Sequence, residues 1–142
     1  MDDNINVLNE IHEGLVIGIN SLSTISSDVA DNDFRKVLDS QYDEYNTFLN
    51  KVNSEFSKRG ENPKEVSSGM KVMTYMNNKM NTMIDKSTSN ISKLLIRGTS
   101  MGIITGRKLL NEELNLSFEV KNLLRDFVNK QEHDVEVLKE WL

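Results

Sequence analysis

The sequence predicts an all-α protein, a four-helix bundle in which a long connection between the second and third helices holds one short extra helix. Over four long windows, apolar residues recur three and four positions apart, the spacing of one helical face. No window shows a convincing run of the period-two alternation typical of strands. One proline and seven glycines in 142 residues favour long, uninterrupted helices. Four helices of roughly 24 residues would each span about 36 Å, the scale of such a bundle.

The first long helix is predicted from Asn4 to about Ser27. Its apolar face consists of Ile5, Leu8, Ile11, Leu15, Ile19, Leu22 and Ile25. The polar stretch 26–33 then forms a turn. Within it, Asp31 or Asp33 can cap the next helix by accepting hydrogen bonds from its first N–H groups.

The second long helix is predicted to follow the turn and to end near Gly60. Its apolar residues are Phe34, Val37, Leu38, Tyr45, Phe48, Leu49, Val52 and Phe56. Lys58 and Arg59 suit the negative end of a helix, and Gly60 suits the left-handed conformation that often follows one.

Residues 60–88 form the long connection. Pro63 stands where a first helical turn tolerates proline, so we expect the short helix to begin near it. The core signal of this helix is a methionine stripe at helical spacing, namely Met70, Met73, Met76, Met80 and Met83. Such a stripe is typical of adaptable core packing, and a soft-metal site or a promiscuous binding surface is the alternative.

The third long helix is predicted from about Ser89 to Leu114, and the last one begins after the break at 115–117. The terminal Trp141 is expected to fold back on the bundle. Because the first two helices and the last two are joined by short links, each pair should be antiparallel. The connection at 60–88 is long enough to cross the bundle lengthwise.

Composition and charge exclude several classes of function. Cysteine is absent, which excludes disulfides, thiolate metal sites and cysteine nucleophiles. The 17 Lys and Arg and 22 Asp and Glu are interspersed and give a formal net charge of −5, which argues against a nucleic-acid partner. The acidic start does not resemble a secretory signal, and no apolar run approaches the roughly 20 residues that span a bilayer. We expect one cytoplasmic domain over residues 1–142, without a membrane partner.

Three glycines, Gly98, Gly102 and Gly106, stand four apart in the third long helix. Each should cost about 1 kcal/mol of helix stability relative to alanine, so a compensating contact is expected. Small residues at this spacing let a backbone or a large side chain approach closely, and we predict a helix-contact groove level with Gln131. A dimer seam or a partner helix is the alternative occupant. A phosphate loop fits poorly, because only three residues separate Gly102 from Gly106 and Arg107 stands where lysine is required.

The inward-facing polar residues offer few metal ligands. The polar core candidates are His12, Gln41, Glu44 and Gln131. Two glutamines and one histidine give too little negative charge for a hard divalent cation. His133 falls on the polar side of the last helix, where a solvent-facing histidine is expected. No catalytic residue, metal ligand or cofactor is predicted.

Three segments carry a resemblance to a known superfamily: LNEIHEGLVIGINSL (8–22), LNKVNSEFSKRGENP (49–63) and FEVKNLLRDFVNKQEHDVEVLKEWL (118–142). They resemble the ferritin-like superfamily, in particular its small uncharacterised bacterial four-helix-bundle proteins. The resemblance implies a lengthwise crossover and, in metal-bearing members, inward Glu and Glu-x-x-His ligands. The corresponding positions here hold Val16, Ile17, Gln41, Glu44, Gly98, Gly102 and Gln131. The resemblance therefore extends to the fold and not to the usual di-metal site.

We expect from these observations a non-catalytic cytoplasmic helical bundle with a binding or structural role. The glycine groove and the methionine stripe indicate self-association or a protein partner. The alternative is a degenerate metal-dependent oxidoreductase, or a metal-binding protein, that uses Glu44, His12 and Asp134.

Overall fold

A computed structural model describes residues 2–142, and within residues 67–73 it describes the backbone alone. This part of the chain forms five helices and no strand, which confirms the all-α prediction. The helices are α1 (Asp3–Ser26), α2 (Asn32–Lys58), α3 (Ser67–Thr82), α4 (Thr88–Asn111) and α5 (Phe118–Lys139).

Short polar side chains define where most of the helices begin. Asp31 caps α2, because its carboxylate accepts hydrogen bonds from the backbone N–H groups of Asp33 and Phe34 at 2.9 and 3.0 Å. Ser117 caps α5 in the same way through the N–H of Val120. At the end of α2, Gly60 adopts a left-handed φ of 66°, as the sequence predicts for a residue just past a helix.

The first helix is central, since α1 contacts each of the other four helices. It packs most extensively on α2, while α4 packs most extensively on α5. At one end of the molecule, the N–H of Ser117 donates to Asn4 Oδ1 at 2.8 Å, and Arg59 Nη2 donates to Ser117 Oγ at 2.8 Å. The start of α1, the end of α2 and the start of α5 therefore lie together.

The opposite ends of these helices also meet. Ser92 Oγ donates to the carbonyl oxygen of Leu138 at 2.5 Å, which joins the start of α4 to the end of α5. The Trp141 ring packs on Phe34 with the centroids 5.2 Å apart, so the chain end folds back onto α2. Helices α1 and α2 are antiparallel, and so are α4 and α5.

The connection that contains α3 is attached near both ends of α1. The N–H of Lys64 donates to Asn9 Oδ1 at 2.9 Å, and Lys86 pairs with Asp28 at 3.9 Å. Between these points α3 packs on α1. Of the predicted methionine stripe, Met76 and Met80 are buried and Met83 is partly buried against the core. The side chains of Met70 and Met73 lie outside the described residues.

The apolar core draws on all five helices. Its fully buried large side chains include Leu8, Ile11, Leu15, Phe34, Leu38, Phe56, Met80, Ile91, Leu124 and Leu138. Among the described residues, no helix is both long enough and apolar enough to cross a membrane.

Candidate functional site

A cavity of about 260 Å³ lies in the middle of the molecule, between α1 and α4. Helices α2 and α5 form its floor, and Met76 of α3 reaches one side of it. Its apolar walls include Ile11, Ile17, Leu22, Leu95, Leu109, Leu124 and Phe127.

The predicted glycine groove lines this cavity. Gly98, Gly102 and Gly106 all border it from α4. A methyl group at Gly102 would overlap the side-chain amide of Gln131, and one at Gly106 would overlap Val128 Cγ2. The α5 side chains therefore occupy the groove at these two levels, and no partner helix is needed to fill it there.

Gly98 has a different environment. A methyl group at this position would lie 3.9 Å from Met76 Cε, which is ordinary van der Waals contact. The absence of a side chain at Gly98 therefore leaves space in the cavity wall, and no side chain from another helix fills that space.

Two further glycines, on α1, line the facing wall of the cavity. A methyl group at Gly14 would lie 3.0 Å from Phe127 Cζ, and one at Gly18 would lie 2.8 Å from Tyr45 Cε2. Sequence reasoning missed this pair, although its four-residue spacing in GLVIG is the same signal as on α4. Close approach of ring side chains to α1 is the physical reason for glycine at both positions.

Two buried glutamines supply polar groups to the cavity. Gln41 and Gln131 are 5% and 4% exposed, and both line the cavity. Gln41 Nε2 and Gln131 Oε1 are buried without a hydrogen-bond partner among the described residues. A buried polar atom left unpaired costs about 1–3 kcal/mol, so a molecule in the cavity that bonds to these amides would recover this free energy.

The charged residues of the lining are acidic. Glu10 and Glu13 border the cavity from α1, whereas its described lining includes no Lys, Arg or His. Burial, and after it the negative charge of Glu13, raises the pKa of Glu10 above its usual range. The cavity is therefore electrostatically suited to a neutral or positively charged molecule.

An ionic cluster on α2 and α5 lies behind the floor of the cavity. Lys130 Nζ donates to both carboxylate oxygens of Asp134, at 3.1 and 3.2 Å, and also bonds to Glu44. The same ammonium lies 5.0 Å from the centroid of the Tyr45 ring. Asp134 is buried, whereas the Glu44 side chain is about half exposed (53%). Glu44 therefore lies at the edge of the core and not in it.

Burial and the Lys130 ammonium shift the pKa values of the acidic groups in this cluster. Burial raises the pKa of Asp134, against the opposing effect of the Lys130 charge. The hydrogen bond from Lys130 lowers the pKa of Glu44. Burial raises the pKa of the Tyr45 hydroxyl. The Lys130 side chain is only 14% exposed because it reaches across to α2.

His12 does not join this cluster. Its ring makes an edge contact with Phe56, with the centroids 6.2 Å apart. Burial lowers the pKa of His12, partly offset by the charge of Glu13. The histidine whose charge acts on Glu44 is His133. Across the residues that the structure describes, no three His, Asp or Glu side chains are grouped as metal ligands would be.

Comparison with known proteins gives one match. A family model described as a domain of unknown function, DUF2383, matches residues 3–112, which cover α1 to α4. Helix α5, which supplies Gln131 and the ionic cluster, lies outside the matched segment. No curated protein and no solved structure matches the chain.

Proposed function

Because the chain belongs to the DUF2383 family, a domain of unknown function, we propose its function from its own site. The protein is a non-catalytic, cytoplasmic helical bundle that binds a small, partly apolar molecule in the cavity between α1 and α4. One observation carries this proposal. Gln41 and Gln131 each place a buried, unpartnered amide atom at a cavity whose walls are mainly glycine and apolar side chains.

The size and chemistry of the cavity support a ligand in preference to packing alone. Its volume of about 260 Å³ is far above the roughly 30 Å³ of one water molecule in the liquid. It approaches the lower end of small-molecule pockets, about 300 Å³. Such pockets combine apolar walls with a few convergent polar groups, and here the polar groups are an amide donor and an amide acceptor.

The architecture that we propose is the ferritin-like four-helix bundle, with α3 on its lengthwise crossover. The antiparallel α1–α2 and α4–α5 pairs support it, as do the two attachments of the crossover to Asn9 and Asp28. In metal-bearing bundles of this kind, inward carboxylates and histidines hold two metal ions. This chain has Gln41 and Gln131 at the inner positions, and a lysine ammonium between Glu44 and Asp134.

The alternative, a degenerate metal-dependent oxidoreductase or metal-binding protein, has less support. It requires Glu44, Asp134 and His12 to act together, but both carboxylates bond to Lys130. His12 packs instead against Phe56. A metal ion would have to displace the Lys130 ammonium from a carboxylate that is 2% exposed.

Binding of neutral probes tests the proposed function. We expect hexan-1-ol, hexanamide and benzamide to bind the purified protein, with the amides binding more tightly because they can pair with both glutamines. Gly98→Leu should weaken binding at least about tenfold, because its side chain would enter space that the cavity now holds. Ser100→Leu, on the same helix but outside the cavity lining, is the matched control. If none of the probes binds, or if both variants bind equally well, the cavity is not a ligand site.

Self-association is a second candidate role, favoured by an apolar surface on α4. Met101 and Ile104 are each 61% exposed on this helix, and Tyr75 of α3 is 56% exposed. We propose that two copies associate through this surface.

A further inference from the structure

The two unpartnered amide atoms at the cavity are of opposite kinds. Gln41 Nε2 is a hydrogen-bond donor, and Gln131 Oε1 is an acceptor. Such atoms can bond to each other, but neither has a partner among the described residues, so the two glutamines do not pair in this way. Their side chains come from different helices, α2 and α5, and line the same cavity. A molecule in the cavity therefore meets a donor and an acceptor that are both available.

We infer that the ligand is a neutral molecule in which a carbonyl oxygen and an N–H stand on neighbouring atoms, as in a primary amide or a lactam, attached to an apolar body. This inference rests on the proposed function and adds the chemical class of the ligand to it. The ligand carbonyl would accept a hydrogen bond from Gln41 Nε2, and the ligand N–H would donate one to Gln131 Oε1. The apolar body would lie against the glycines and the apolar side chains of the walls.

The hydrogen-bonding capacity of the two glutamines favours a neutral group over a charged one. An ammonium group has donors only, so it could pair with Gln131 Oε1 but would leave Gln41 Nε2 unpaired. An ionised carboxylate has acceptors only, so it would leave Gln131 Oε1 unpaired. It would also enter a cavity whose described lining includes no basic side chain. An amide group can satisfy both glutamines without the cost of burying a charge.

The packing of Gln131 also supports a binding role. A methyl group at Gly102 would overlap the side-chain amide of Gln131, so the glycine accommodates a polar side chain in the core. Glycine at this position weakens the helix, and a buried acceptor without a partner weakens the fold. An apolar side chain of similar length would avoid the second cost. Binding of a ligand N–H gives the buried amide a physical reason.

Three uncharged probes of nearly the same shape test the inference: benzamide, acetophenone and isopropylbenzene, titrated calorimetrically into the full chain at pH 7. Benzamide offers an acceptor and a donor, acetophenone an acceptor alone, and isopropylbenzene neither. In Gln131→Met, the affinity for benzamide should fall at least about fivefold, whereas that for acetophenone should not fall. In Gln41→Met, benzamide and acetophenone should both bind at least about fivefold more weakly. Isopropylbenzene should bind both variants no more weakly than the unmodified chain, which also shows that the cavity is intact.

Two charged molecules of the same shape, benzoate and benzamidinium, test whether the ligand is neutral. Each should bind the unmodified chain at least about tenfold more weakly than benzamide. Asn129→Met is the matched control, because it removes an exposed amide of α5 that does not line the cavity, and it should bind benzamide like the unmodified chain.

Three results would overturn the inference while leaving the proposed function standing. They are an affinity for benzamide that survives both glutamine substitutions, a loss that isopropylbenzene or the Asn129→Met control shares, and a charged probe that binds as tightly as benzamide. If none of the five probes binds, the inference and the proposed function both fail.

Discussion

At the scale of single residues, Lys130 compensates the charge of the buried Asp134 carboxylate. Its ammonium bonds to Asp134 and Glu44 and therefore supplies the positive charge that balances these two carboxylates. The carboxylates could be identified from the sequence. The lysine could not, because a long side chain at the edge of a helical face can point either to solvent or across to its neighbour.

Replacing Lys130 should therefore destabilise the fold. In Lys130→Met the aliphatic stem is kept, but the buried Asp134 carboxylate loses its ionic partner, which costs about 3 kcal/mol. Urea denaturation at pH 7 measures the change. Lys139→Met breaks the exposed pair with Glu136 and should alter the stability by less than about 1 kcal/mol. Equal losses in the two variants would contradict the role given to Lys130.

His12 should make the stability depend on pH. Its pKa is lowered in the folded state, mainly by burial, so between the folded and unfolded pKa values the unfolded chain binds more protons. The contribution of His12 to the free energy of unfolding is therefore fully present above its unfolded-state pKa of about 6.5. It is lost as the pH falls towards the folded-state pKa.

Urea denaturation between about pH 7.5 and pH 5.5 tests this assignment. The free energy of unfolding of His12→Gln should fall less over this range than that of the unmodified chain, because the residue that titrates has been removed. His133→Gln, which retains His12, is the matched histidine control. An unchanged dependence in His12→Gln would show that other groups cause it.

At the scale of the helix, the periodicity of apolar residues predicts the elements well. It identifies all four long helices and the short one, because the spacing of apolar side chains decides which face is buried. The cavity could not be predicted in the same way. Whether two glycine faces close on each other or leave a space depends on the Phe127, Tyr45 and Gln131 side chains that enter from other helices.

The glycines of α4 should respond differently to alanine. Gly106→Ala would force a methyl group onto Val128, a stiff β-branched side chain, and should destabilise the protein by about 1–3 kcal/mol. Gly98→Ala places a methyl group in ordinary van der Waals contact with Met76 and should stabilise the protein by up to about 1 kcal/mol. Thermal and urea denaturation of both variants measures the difference. Similar stabilities would show that α4 does not approach α5 closely.

At the scale of the whole molecule, Met101 and Ile104 leave an exposed apolar surface on α4. If two copies associate through it, sedimentation velocity should show a dimer whose proportion rises with concentration. The double variant Met101→Glu/Ile104→Glu should be monomeric over the same range, because it places charges at both exposed positions. Lys93→Glu, at an exposed position of the same helix, is a control that should leave the dimer intact. A strict monomer at high concentration would remove the association role.

The central claim is that the cavity between α1 and α4 binds a ligand through its buried amides. A direct test is the NMR spectrum of the side-chain NH₂ groups of ¹⁵N-labelled protein during a titration with hexanamide. Binding through the amides should give saturable shifts in the Gln41 and Gln131 signals, together with the backbone signals of Gly98 and Gly102. Saturable binding that leaves both glutamine signals unchanged, or no saturable binding at all, would contradict it.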